Sequence, residues 1–133
     1  MNLSVQAAAT IAVVGFAIIA VFQAALAFGA PLGRAAWGGG QSTLPPRLRV
    51  GSAIALVVWI VAALIVADRA GLLSLPLPDA VTFWGTWILV PVLAIGAVMN
   101  FASSSPWERF GWGPLALILA ALCLWIALNA PAA

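Results

Sequence analysis

Gly29–Gly40 reads GAPLGRAAWGGG, and four of its residues return 75 positions further along. Pro31, Arg34, Trp37 and Gly38 recur as Pro106, Arg109, Trp112 and Gly113. Each copy of this P-x-x-R-x-x-W-G pattern lies between two long apolar runs, so the chain reads as helix, interfacial element, helix, written twice. Starting a helical turn at the proline places the arginine and the tryptophan on one face, since positions three or four apart stand above one another. Each copy is thus expected to present a guanidinium and an indole together, at the depth where lipid headgroups begin.

Composition fixes the class. The 133 residues are 65% hydrophobic and only 6% charged, with a mean hydropathy of +1.20. A soluble domain carries about 25% charged residues. A helix needs roughly 20 apolar residues to cross the hydrocarbon, and there is room for four such spans. No run shows the alternating polarity of a membrane barrel. The expected fold is all-α, a bundle of four transmembrane helices. If the two halves share an orientation, it is a 2+2 tandem repeat about a pseudo-two-fold axis along the membrane normal.

Five arginines, three carboxylates and no lysine, histidine or tyrosine make up the ionisable set apart from one cysteine. Arginine without lysine, beside abundant Ala, Gly and Pro, suggests a GC-rich bacterial genome and hence a bacterial cytoplasmic membrane. The high isoelectric point, about 10.1, rests on so few groups that it implies no nucleic-acid partner. Cys123 alone supports neither an internal disulfide nor a cysteine metal cluster, and no cofactor or metal is expected. The first apolar run, Val5–Phe28, is too long for a signal-peptide core and lacks a basic leader, so it reads as a retained span.

Helices are expected over about 5–28, 50–67, 80–99 and 106–128, the last bending near 113–114 at Gly113-Pro114. Gly29 and Gly71 are placed to close the first and second, and Pro45-Pro46 to bring the chain extended to the second. Asp79 is placed to cap the third, which Pro91 should kink. Ser105-Pro106-Trp107-Glu108 has the form of a capping box with proline at the first helical position. Two stripes of small residues suit close packing in lipid. One is Ala17, Ala20, Ala24 and Ala27; the other is Gly113, Ala116, Ala120, Cys123 and Ala127.

Four arginines fall in the first and third connections and Arg69 alone in the second. By the positive-inside rule the former face the cytoplasm and both termini lie outside. Trp37, Trp107 and Trp112 would form the inner belt, Trp84, Trp87 and Trp125 the outer one. At the inner face Arg34, Trp37, Arg47, Arg49, Arg109 and Trp112 are the candidates for an anionic headgroup, an anion or a partner surface. Ser105 joins them because a helix start offers free amides and hydroxyls, while Glu108 is placed to neutralise Arg109. Gln23 and Asn100 lie near the same end of their helices, as glue between helices or as a polar vestibule. Asp68 and Arg69 read as a surface pair, and Cys123 as packing.

The runs AFGAPLGRAAWGG, LPPRLRVGS and SSSPWERFGWGPLAL resemble those of small four-helix membrane proteins of GC-rich bacteria. That resemblance implies four spans and these interfacial motifs, and no activity. Without convergent acid, base or nucleophile the chain reads as non-enzymatic, and without an ionisable group inside a span it does not read as a coupled transporter. The expectation is an accessory or structural subunit packed against a larger membrane complex or a second copy. The alternative is a binder or transporter of a lipid or small anionic or apolar solute, acting through the Arg/Trp elements.

Overall fold

A computed structural model describes residues 2–131. It is all-helical, with four long helices: α1 (Val5–Ala27), α2 (Pro46–Arg69), α3 (Asp79–Phe101) and α4 (Gly113–Asn129). A π turn, Glu108–Trp112, runs directly into α4. At 1.5 Å per residue each of α1–α3 is about 35 Å long, enough for a hydrocarbon core of about 30 Å. Together with Glu108–Asn129, all four are long and apolar enough to cross a membrane.

The helices form a ring. α1 packs most broadly on α2 and α3 on α4, while narrower α1–α4 and α2–α3 seams close it. The core joins Phe16, Val66, Leu89, Leu93, Leu119, Cys123 and Ile126 with small residues such as Ala8, Ala12, Ala62 and Ala120. Trp59 stacks on Phe16 at 5.8 Å between ring centres. The outward faces are as apolar as the inward ones: Ile11, Val14, Ile18 and Val21 of α1 are all at least half exposed. Lipid, with no hydrophobic drive between helices, leaves packing to small residues that let backbones approach.

α4 uses its small residues for this, and Gly113, Ala116, Ala120, Cys123 and Ala127 are all buried. α1 does not use the stripe expected for it. Ala17 is exposed and Ala24 and Ala27 half-buried; of that set only Ala20 is buried. The close face is Ala8, Ala9, Ala12 and Gly15, buried in the core among residues of α2 and α4, with Leu119 of α4 filling the gap over Gly15. A side chain added at Gly15 would meet Leu119 Cδ2 at 2.8 Å.

Several ends differ from expectation. α2 starts at Pro46, four residues before Val50, because proline is favoured at the first helical position; Pro45 alone is extended. Asp79 stands inside the first turn of α3 and caps nothing, with Pro78 at the cap position. Its carboxylate still lies at the end of the helix where negative charge is favoured. α3 runs as one helix through Pro91. Asp68 and Arg69 do not pair, as neighbours in a helix point apart. Asp68 Oδ1 accepts from Leu75 N at 2.6 Å, and Arg69 donates to Pro131 O at 2.7 Å and lies over Phe83.

Candidate functional site: a cavity behind two interlocked loops

The first copy of the repeat is not a helical turn. Gly33–Ala35 and Trp37–Gly39 are 3₁₀ turns separated by an extended Ala36. Trp37 has φ 52°, the one non-glycine at positive φ among the described residues, and glycines follow it at +83° and +74°. An L residue is strained there and persists only where its surroundings hold it. Here the indole Nε1 donates to Ser52 Oγ at 3.0 Å, and the ring lies where a side chain at Gly51 would be.

The second copy is helical, and its side chains satisfy the backbone of the first. Ser105 Oγ donates to Arg34 O at 2.7 Å, and Trp112 Nε1 to Ala35 O at 2.9 Å. Glu108 accepts from Gly38 N through both carboxylate oxygens, at 3.1 and 3.3 Å. The capping box is half made: Glu108 N donates to Ser105 Oγ at 3.4 Å. The Glu108 carboxylate, instead of reaching back to Ser105 N, takes Ser103 Oγ, and Ser105 N donates to Ser103 Oγ.

This rearranges the expected contact set. Ser105 is 2% exposed with its hydroxyl committed to protein partners, so it leaves the set. Arg34 and Arg109 stay exposed, but each donates to a carbonyl of its own loop, Gly39 O at 3.1 Å and Ser103 O at 2.9 Å. Arg49 Nε donates to Ala27 O at 3.0 Å and caps the carbonyl end of α1, where a cation is favoured. Neither copy stacks its arginine on its tryptophan: Trp37 points to α2 and Trp112 packs on Phe22 at 4.5 Å. Glu108, read as neutralising Arg109, turns to Gly38.

Behind these loops lies a cavity of about 840 Å³ to which all four helices contribute. α2 and α3 touch at one end, where a side chain at Gly85 would meet Ile65 at 3.0 Å. Towards the loops the cavity separates them, between Leu48, Ala55 and Trp59 on one side and Val92, Gly96 and Met99 on the other. Its walls are mostly apolar. Gln23, Arg47, Asn100, Ser103 and Glu108 supply most of its polar groups. Gln23 and Asn100 thus share one cavity, as a vestibule requires, without bonding each other: Asn100 donates to Gly96 O, and Gln23 Oε1 is buried without a partner among the described residues. A second groove of about 520 Å³ lies towards Pro31, Arg34 and Trp107. Phe22, Ala35 and Trp112 line both, so they form the partition.

Gly96 and Met99 are lining residues that the sequence does not single out, and Glu108 lines the cavity although the sequence reads it only as a cap and a neighbour of Arg109. The available signal was Gly96–Asn100, a helix-interior glycine one turn from a polar residue. A Cβ at Gly96 would meet nothing within 4 Å, which marks the open space beside it.

Fold and cavity together define a class: a ring of four helices of membrane-spanning length, open to one side near one end, with an apolar pocket and a polar mouth. Within that class the chain matches no protein-family model, no curated protein and no solved structure.

Proposed function

We propose that this chain is a non-enzymatic, multi-pass protein of the bacterial cytoplasmic membrane that holds a membrane amphiphile in the cavity between its helices. The observation that carries the reading is the cavity itself, apolar along α2 and α3 and polar where Arg47, Gln23 and Asn100 meet the loops. Its volume lies within the ordinary range of ligand sites, about 300–1,000 Å³. An acyl chain needs only apolar walls and a lateral opening, and the exposed Ile95 and Met99 stand beside that opening. With four of five arginines at this end, the cavity serves the cytoplasmic leaflet and both termini lie outside. The two hairpins, α1–α2 and α3–α4, are read as duplicated halves whose connecting elements have diverged.

The accessory-subunit reading drew on two stripes of small residues. The α4 stripe is buried within the chain's own bundle, which leaves that reading with less support than the cavity gives to a ligand. The test is lipid retention by the full-length protein in native mass spectrometry, compared with Gly96→Phe. The ring would enter the cavity from a position where a Cβ meets nothing. Wild type is expected to retain lipid and the variant to lose it at unchanged helicity. Equal retention by both overturns the proposal. Purification of wild type without lipid, in a stoichiometric complex with a larger membrane protein, would return the accessory reading.

A further inference from the structure

We infer that the amphiphile is a phospholipid with a primary amine in its headgroup, an inference that rests on the cavity being a lipid site. Two charged groups line the cavity, Arg47 and Glu108, and their unmet valences point in opposite senses. Arg47 is exposed and makes no hydrogen bond among the described residues, so all five guanidinium N–H groups are free for an anion. The Glu108 carboxylate is held by neutral donors only, Gly38 N and Ser103 Oγ. Its nearest cation in sequence, Arg109, donates to Ser103 O instead. A carboxylate has about four lone-pair sites, so this one still accepts. Gln23 Oε1 is a third group in want of a donor, buried and unpartnered.

A ligand that meets all three carries one anion and several N–H donors on a cation. A fatty acid or phosphatidate satisfies Arg47 alone; it leaves Gln23 Oε1 unpaired and brings negative charge to Glu108. A quaternary ammonium meets the charge of Glu108 but has no hydrogen to give Gln23. A glycerol headgroup donates hydroxyls but brings no cation. A phosphate beside a primary ammonium supplies the anion, the cation and three donors. The rings of Trp37, Trp59 and Trp112 line the same space and favour a cation over their faces.

The full-length protein in nanodiscs or mild detergent is offered phosphatidylethanolamine, phosphatidylcholine and phosphatidylglycerol with identical acyl chains, and binding is read by native mass spectrometry. Phosphatidylethanolamine is expected to bind roughly tenfold more tightly than either, the worth of one charged hydrogen bond. Glu108→Gln, which keeps an acceptor for Gly38 N, should reduce that preference over phosphatidylglycerol to roughly twofold or less. Arg47→Gln should weaken both. Equal binding of the three lipids, or tightest binding of phosphatidylglycerol, overturns the headgroup assignment; because the ranking is read on wild type, no variant need fold for this. If Gly96→Phe still excludes lipid in that case, the cavity reading survives. If it does not, the underlying reading has failed.

Discussion

Residues 31–38 and 106–113 share proline, arginine, tryptophan and glycine at identical spacing, yet the first folds as two 3₁₀ turns about an extended Ala36, while the second runs through a π turn into a long helix. The flanks decide between them. Ser105 ahead of Pro106 caps a helix start, and the apolar PLALILA run behind Gly113 propagates it. Gly29 ahead of Pro31 has just ended a helix, and Gly38-Gly39-Gly40 behind Trp37 cannot sustain another. Different backbones then allow different work. The irregular copy leaves Arg34 O, Ala35 O and Gly38 N unpaired by secondary structure, and the helical copy pairs each with a side chain. A repeat in letters has become a donor–acceptor interlock.

The sharpest way to break the interlock is at Gly33. A Cβ there would run into Gln41 O and approach Ser42 O to 3.0 Å, both backbone atoms that close the loop. Gly33→Ala should cost about 3 kcal/mol, the upper end for overpacking, seen in denaturant unfolding in detergent by far-UV circular dichroism. A shift no larger than that of a surface control would mean the irregular copy is not held as described.

Ser105→Ala comes next. It removes a buried donor to Arg34 O and the acceptor for Glu108 N at once. A loss of about 2 kcal/mol is expected for a buried carbonyl left unpaired together with a lost cap. Trp112→Phe keeps an aromatic ring beside Phe22 but removes the donor to Ala35 O together with part of the indole, so a loss of about 1–2 kcal/mol is expected. Measured with Ser105→Ala in a double-mutant cycle, the two should be coupled, because both brace the same short segment. Strict additivity would mean two independent contacts rather than one interlock.

How much of this was legible follows from what each feature is made of. The four long apolar helices are written in bulk hydropathy, which survives any error in register. The start of α2 is not: Arg47 and Arg49 lower the local hydropathy and draw the eye to Val50, although Pro46 carries the real signal. The α1 packing face is hidden by redundancy, since alanines at 7–9, 12, 17, 20, 24, 25 and 27 fit several faces and only the neighbouring helices α2 and α4 select one. The interlock depends on contacts about 70 residues apart that spacing alone does not disclose. A cavity is harder still, because it is the place where side chains fail to meet. Gln23 and Asn100 pointed to its polar end, but nothing in the hydropathy marks its apolar walls.

The smallest expected effect separates two accounts of the arginines. If the two copies were equivalent headgroup anchors, Arg34→Ala and Arg109→Ala would each weaken lipid retention, and to the same degree. In the structure each exposed guanidinium is turned onto a carbonyl of its own loop, whereas Arg47 has no such partner among the described residues and lines the cavity. Arg34→Ala and Arg109→Ala should therefore change stability by no more than about 0.5 kcal/mol, as at ordinary surface sites, and lipid retention by roughly twofold at most. Arg47→Ala should lower retention roughly tenfold, the worth of a lost bond to a charged group. The reverse ranking, with Arg34 and Arg109 dominant, would move the lipid site out of the four-helix cavity and onto the outer face of the interlock, into the groove beside Pro31, Arg34 and Trp107.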